Sequence, residues 1–84
     1  MPDFEWDKDK NRQNIEKHGV SFEDACGVFD DEDRIVYPGS ATSKGESRFL
    51  TVGKFAENFI IAVVYTLRST IIRIISARSV RKNE

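Results

Sequence analysis

The chain has 84 residues, 39% hydrophobic and 32% charged, with a formal net charge of −1, which suits one small domain spanning 1–84 and excludes two. The total charge says nothing about nucleic acid, but its distribution does: residues 1–33 hold eleven acids and four bases (−7), and residues 34–84 hold three acids and nine bases (+6). A lone cysteine, Cys26, excludes an internal disulfide, and the longest apolar run, Phe59 to Thr66, is far short of the ~20 residues that span a bilayer, so an intracellular, reducing compartment, the cytoplasm, is expected.

Phe4-Glu5-Trp6 alternates apolar and polar residues, as a short edge strand does. Asp7 is a good N-cap for a helix over Lys8 to His18, with Gly19 at its C′ position. The inward stripe expected for this polar helix is Asn11, Ile15 and His18; Lys10, Asn14 and Lys17 form a neighbouring stripe. Ser21 reads as the cap of a second helix, along which Phe22, Ala25, Cys26 and Phe29 recur at i, i+3, i+4 and i+7. The acidic run Asp30 to Asp33 opposes a helix C-terminus and ends it.

From Arg34 the pattern turns to strands. Arg34 to Tyr37 is a short one stopped by Pro38-Gly39, and Pro38 to Ser47 reads as a surface loop. Arg48 to Lys54 is the next strand, then Phe59 to Leu67 and Ile71 to Arg78 as a hairpin around Arg68-Ser69, whose turn type is left open without Gly or Asn. These elements give an α+β domain, two N-terminal helices packed on a four-stranded antiparallel sheet. Ser79 to Glu84 is a short C-terminal tail or the start of a helix.

A metal site is not expected, because one His and one Cys leave no ligand spacing and Asp30 to Asp33 lack the pattern of a calcium loop. No Gly-rich phosphate loop occurs, so no cofactor is expected. Cys26 lies on the core stripe and reads as buried. What remains is a basic and hydroxyl set: Lys17, His18, Arg48, Tyr65, Arg68, Arg73, Ser76 and Arg78. Such groups suffice for cleavage of RNA by its own 2′-hydroxyl, which needs proton transfer and cations around the phosphorane.

Four members have a plainer reading beside the functional one. His18, in the last helical turn where the dipole favours positive charge, is a proton-transfer candidate or a helix cap. On a regular β-strand Arg73 and Arg78 point to opposite faces; Arg73, flanked by isoleucines, is a phosphate contact or half of an ion pair with Glu46, Glu57 or an acid of the helices. Tyr65 is a substrate contact or a core residue with a wet hydroxyl. Arg48 shares a face with Glu46, with which a surface ion pair is the alternative.

Phe4-Glu5-Trp6-Asp7, Lys17-His18-Gly19-Val20-Ser21-Phe22, Val28-Phe29-Asp30, Glu46-Ser47-Arg48 and Ile72-Arg73-Ile74-Ile75-Ser76-Ala77-Arg78 together resemble the BrnT family, toxins of bacterial type II toxin–antitoxin pairs. The resemblance covers nearly the whole chain in order. It implies a RelE-like ribonuclease fold, cleavage without metal, and inhibition of translation. It also implies a BrnA-like ribbon-helix-helix antitoxin that neutralises the toxin and reaches DNA itself, in a complex with two toxin copies. Positions matching the family's motif are Lys17, His18, Glu46, Arg48, Tyr65, Arg73, Ser76 and Arg78.

By its chemistry, His18 is assigned proton transfer and Arg48, Arg73 and Arg78 the phosphate, supported by Lys17, Tyr65, Ser76 and Arg68. The rival is a binding module without catalysis that acts through an antitoxin complex regulating its own transcription. A toxin acting on a topoisomerase is a third class.

Overall fold

Two runs rich in isoleucine and valine, 59–68 and 71–80, make neighbouring strands that lie inside the sheet. The computed structural model describes residues 3–41, 47–56 and 59–80. In chain order they form strand β1 (Asp3–Glu5), helix α1 (Lys8–His18), helix α2 (Phe22–Cys26) continued by a 3₁₀ turn (Gly27–Asp30), and strands β2 (Ile35–Ala41), β3 (Ser47–Ala56), β4 (Phe59–Arg68) and β5 (Ile71–Val80). The sheet order is β1-β5-β4-β3-β2.

The α+β class and the two helices are as expected, but the sheet has five strands and is mixed, not four and antiparallel. The extra strand is β1, which lies parallel to β5 with Phe4 opposite Ile72 and Glu5 opposite Arg73. Alternation marks a strand without naming its neighbour. Here the neighbour is fixed by the Glu5–Arg73 ion pair, 3.0 Å, and by Phe4 packing on Phe29 at 5.3 Å between ring centroids.

Strand β2 also runs on through Pro38 and Gly39 to Ala41 instead of stopping at Tyr37. An edge strand tolerates proline because one side of its backbone needs no partner. A bulge between Pro38 and Ala41 brings the chain so close to β3 that a side chain at Gly39 would collide with the Arg48 carbonyl. Glu46, Arg81, Lys82 and the expected start of a C-terminal helix fall outside the described residues, apart from Ser79 and Val80, which continue β5.

The core lies between the helices and one face of the sheet. Phe22, Ala25 and Val28 pack on Ile61, Val63, Tyr65, Ile72, Ile74 and Ala77, with Phe4, Trp6, Cys26, Phe29 and Phe49 at its margin. Fully burying a side chain such as Phe22 contributes about 1.5–3 kcal/mol. The expected stripe of α2 holds at Phe22 and Ala25, but Cys26, read as buried, is only half-buried, and in the following turn Val28 is buried in place of Phe29. Ser21 caps the helix by accepting the Asp24 N–H at 3.0 Å.

Helix α1 docks differently from its expected stripe. Its caps are as read: Asp7 accepts the N–H groups of Asp9 and Lys10, and Gly19 sits at φ 72° donating to the Ile15 carbonyl. Yet Ile15 is 44% exposed and His18 is exposed, while Asn14 is buried. The Asn14 amide donates to the carbonyls of Val20 (2.8 Å) and Ala77 (2.7 Å) and accepts the Ala77 N–H at 3.2 Å. Asn11 accepts the Phe22 N–H at 2.8 Å. Among the described residues, no strand lies beside this edge of β5 beyond Arg73, and a side-chain amide that satisfies both backbone groups of Ala77 outweighs the burial of one isoleucine.

Candidate active site

The face of the sheet away from the helices carries parallel rows of side chains, read across the strands, and three neighbouring rows include Arg48, Arg73 and Arg78. The middle row is Tyr37, Leu50, Val64 and Ser76. On one side runs Arg48, Thr66 and Arg73; on the other, Ile35, Val52, Ala62 and Arg78. A regular β5 would send Arg73 and Arg78 to opposite faces. Instead the register slips by one residue at Ile75, since Tyr65 faces Ile74 but Val64 faces Ser76. Such a bulge inserts one unpaired residue and re-aims the side chains beyond it. Both arginines therefore share the outer face, opposite Thr66 and Ala62 of β4.

Arg48, Ser76 and Arg78 meet around one open hollow of about 420 Å³, floored by Leu50, Ala62 and Val64 and closed at one end by Gly39. That size falls within the ~300–1,000 Å³ of small-ligand sites. Lys17 and His18 line a second hollow of about 220 Å³ with Lys10, Gln13, Asn14, Ile75 and Ser76. Ser76 borders both, so the C-terminal end of α1 and the sheet face form one surface. The Asn14 contacts to Ala77 hold α1 at that spot.

Three members of the expected set stand elsewhere. Arg73 is half-buried and bonded to Glu5 at 3.0 Å, so it does form an ion pair, but with a residue of β1 that was not among the expected partners. Tyr65 is 6% exposed on the helix side, its ring 5.0 Å from Phe29 edge-on and 5.5 Å from Phe49 stacked. It faces away from Arg48 and Arg78. Arg68 is exposed at the end of β4 and lines neither hollow.

Other residues of the surface lie outside the expected basic and hydroxyl set. Lys10 follows from the i, i+7 spacing to Lys17 once Asn14 is known to point inward. Leu50 and Val64 are ordinary strand residues whose role emerges only when the rows are aligned. Tyr37 is 47% exposed at the outer end of the middle row.

Cys26 has no part in this surface. Its thiol donates to the Phe22 carbonyl at 3.3 Å, and burial, helped by Glu23, pushes its pKa up to about 11. Among the described residues no three His, Cys, Asp or Glu side chains gather as a metal site would require. Asp31 accepts the N–H groups of Lys54 (2.8 Å) and Asp33 (3.0 Å), and these hold its carboxyl below the usual range.

Two helices on one face of a mixed sheet, with cations gathered on the other, define a small α+β domain suited to an anionic ligand. The chain belongs to the BrnT family, described as ribonuclease toxins of type II toxin–antitoxin systems, whose model matches residues 6–84. It is similar to the 1.1 Å crystal structure of the Brucella abortus ribonuclease toxin BrnT, with a TM-score of 0.78 and 28% identity, over 98% of this chain and 100% of that one. No curated protein matches the sequence. Among the described residues no helix is long and apolar enough to cross a membrane.

Proposed function

We propose that this chain is a metal-independent endoribonuclease that cleaves RNA by attack of a 2′-hydroxyl on the adjacent phosphate, and thereby inhibits translation in the cytoplasm. The observation that carries the reading is the convergence of Arg48 and Arg78 on one open hollow that adjoins, through Ser76, the hollow of Lys17 and His18. Arg78, on the strand that borders the His18 hollow, binds the scissile phosphate and stabilises the charge gained as the 2′-oxygen bonds to phosphorus, while Arg48 binds another phosphate of the same RNA strand. His18 moves the proton between the 2′-hydroxyl and the departing 5′-oxygen, leaving a 2′,3′-cyclic phosphate and a 5′-hydroxyl. Lys17 and Ser76 steady the substrate between the two hollows. Arg73, neutralised by Glu5, acts from the neighbouring row by fixing the strand.

Family membership supports a protein antitoxin as partner. We take it to be a BrnA-like ribbon-helix-helix protein, whose two-fold symmetry brings two toxin copies into one complex that represses its own promoter. The test is cleavage of single-stranded RNA in EDTA by purified protein. His18→Ala and Arg78→Ala are each expected to reduce the rate at least ~100-fold, the scale of a catalytic group. Full activity in both variants, or products ending in a simple 3′-hydroxyl, overturns the mechanism.

A further inference from the structure

We infer that the middle row of the open face is a seat for one unpaired base of an RNA strand, with Tyr37 as its stacking residue and a determinant of specificity. The inference deepens the ribonuclease reading and rests on it. Leu50 and Val64 form an apolar floor between Tyr37 at one end of the row and Ser76 at the other. Arg48 and Arg78 stand in the flanking rows, opposite Thr66 and Ala62, four residues apart on β4 and so about 13 Å apart along the strand.

Cation, apolar floor and cation in that order suit a strand of alternating phosphate and base. The phosphates meet the arginines and the base between them covers Leu50 and Val64. A duplex presents its phosphates outward and keeps its bases stacked inside, so it has nothing to offer the floor; a single strand does. Tyr37 is nearly half exposed, directly across β2–β3 from Leu50. Among the described residues its ring stacks on no other, unlike those of Phe29, Phe49 and Tyr65, which are engaged with one another. An aromatic ring left open at one end of an apolar floor, with a cation in the row on either side, is how single-strand sites hold a base.

The experiment measures fluorescence anisotropy of labelled 2′-O-methyl RNA oligonucleotides of about eight nucleotides, within the usual span of such sites and unable to undergo 2′-attack. A companion set carries one abasic residue walked along the strand. The protein is expected to lose about tenfold in affinity when one interior position is abasic and little at the others, the scale of stacking for one base. Tyr37→Phe keeps both the affinity and the positional penalty. Tyr37→Ala weakens the intact strand about tenfold and no longer senses the abasic site. Tyr37→Leu, which keeps apolar volume on the edge strand, shows the same loss.

Tyr37→Leu binding as tightly as the unaltered protein, or a penalty equal at every position, overturns the base seat while RNA cleavage stands. Neither binding nor cleavage by the unaltered protein overturns the ribonuclease reading with it. Unchanged RNA affinity, together with a dimer that Tyr37→Leu converts to monomer in sedimentation, assigns the face to a second copy of the chain and likewise overturns the proposal.

Discussion

Replacing Asn14 with alanine removes a side chain that ties α1 to the uncovered edge of β5. Three hydrogen bonds go at once, to the Val20 and Ala77 carbonyls and from the Ala77 N–H, at 2.8, 2.7 and 3.2 Å. A typical bond contributes about 1 kcal/mol net, and each backbone group left buried and unpaired costs about 1–3 kcal/mol. The expected loss is therefore about 3–4 kcal/mol, against a total stability of about 4–13 kcal/mol for a chain of this length. Equilibrium unfolding in urea, followed by Trp6 fluorescence, measures it, since Trp6 packs edge-on against Phe22 at 6.2 Å. The comparison is Ile15→Ala, which removes a 44% exposed side chain and is expected to cost under about 0.5 kcal/mol. RNA cleavage by Asn14→Ala is expected to fall as well, because Lys17 and His18 lose their fixed distance from Ser76. Equal midpoints for Asn14→Ala and Ile15→Ala would refute the claim that hydrogen bonds to the sheet edge, and not apolar burial, dock this helix.

Other expectations are smaller. A double-mutant cycle on Glu5→Gln and Arg73→Met is expected to give a coupling of about 1 kcal/mol or less, since both side chains are about a third exposed. Cys26 is expected to resist a thiol reagent at pH 8 in the native protein and to react promptly in urea. Its unfolded thiol ionises near 9.0 while the folded one holds its proton to about 11, so stability falls as pH rises through that window, and Cys26→Ala flattens the fall. At the acid end, Asp7 is lowered chiefly by the Lys10 N–H and then that of Asp9, and Asp31 chiefly by that of Lys54. Their contribution is full above the ordinary value of 3.8 and is lost as pH falls through the folded values; Asp7→Asn with Asp31→Asn is expected to blunt the acid limb of a denaturation curve. Ser69 turns the β4–β5 hairpin at φ 57°, so Ser69→Gly is expected to raise stability by about 0.5–1 kcal/mol in thermal melts.

Local signals carried much of the fold. Caps at Asp7, Gly19 and Ser21 are decided within three or four residues, and each stands where its chemistry put it. The spacing of Phe22 and Ala25 follows from periodicity, and the central strands from their long β-branched runs. The illegible part depends on distant partners. Nothing near Phe4 says that it pairs with a residue 68 positions later, and nothing in α1 says that an asparagine will outrank an isoleucine. Within the candidate site, Arg48, Ser76 and Arg78 stand out for their chemistry and do share a hollow. Tyr65 stands out for its hydroxyl, although strand alternation with Ile61 and Val63 already favours the core. The common face of Arg73 and Arg78 is hidden because it depends on an irregularity at Ile75 that the run of isoleucines does not announce.

The surplus residue at Ile75 gives β5 one position of slack. Excising it would leave Ile74 and Ala77 toward the core and Ser76 and Arg78 outside, on an unbroken ladder with β4. A further residue added there would instead upset the parity beyond it and turn Arg78 inward, toward Val20 and Phe22. The fold thus has no need of Ile75, whereas the hollow of Lys17 and His18 does, since Ile75 forms part of its wall. Removing Ile75 is therefore expected to leave the ladder intact while taking away one wall of that hollow.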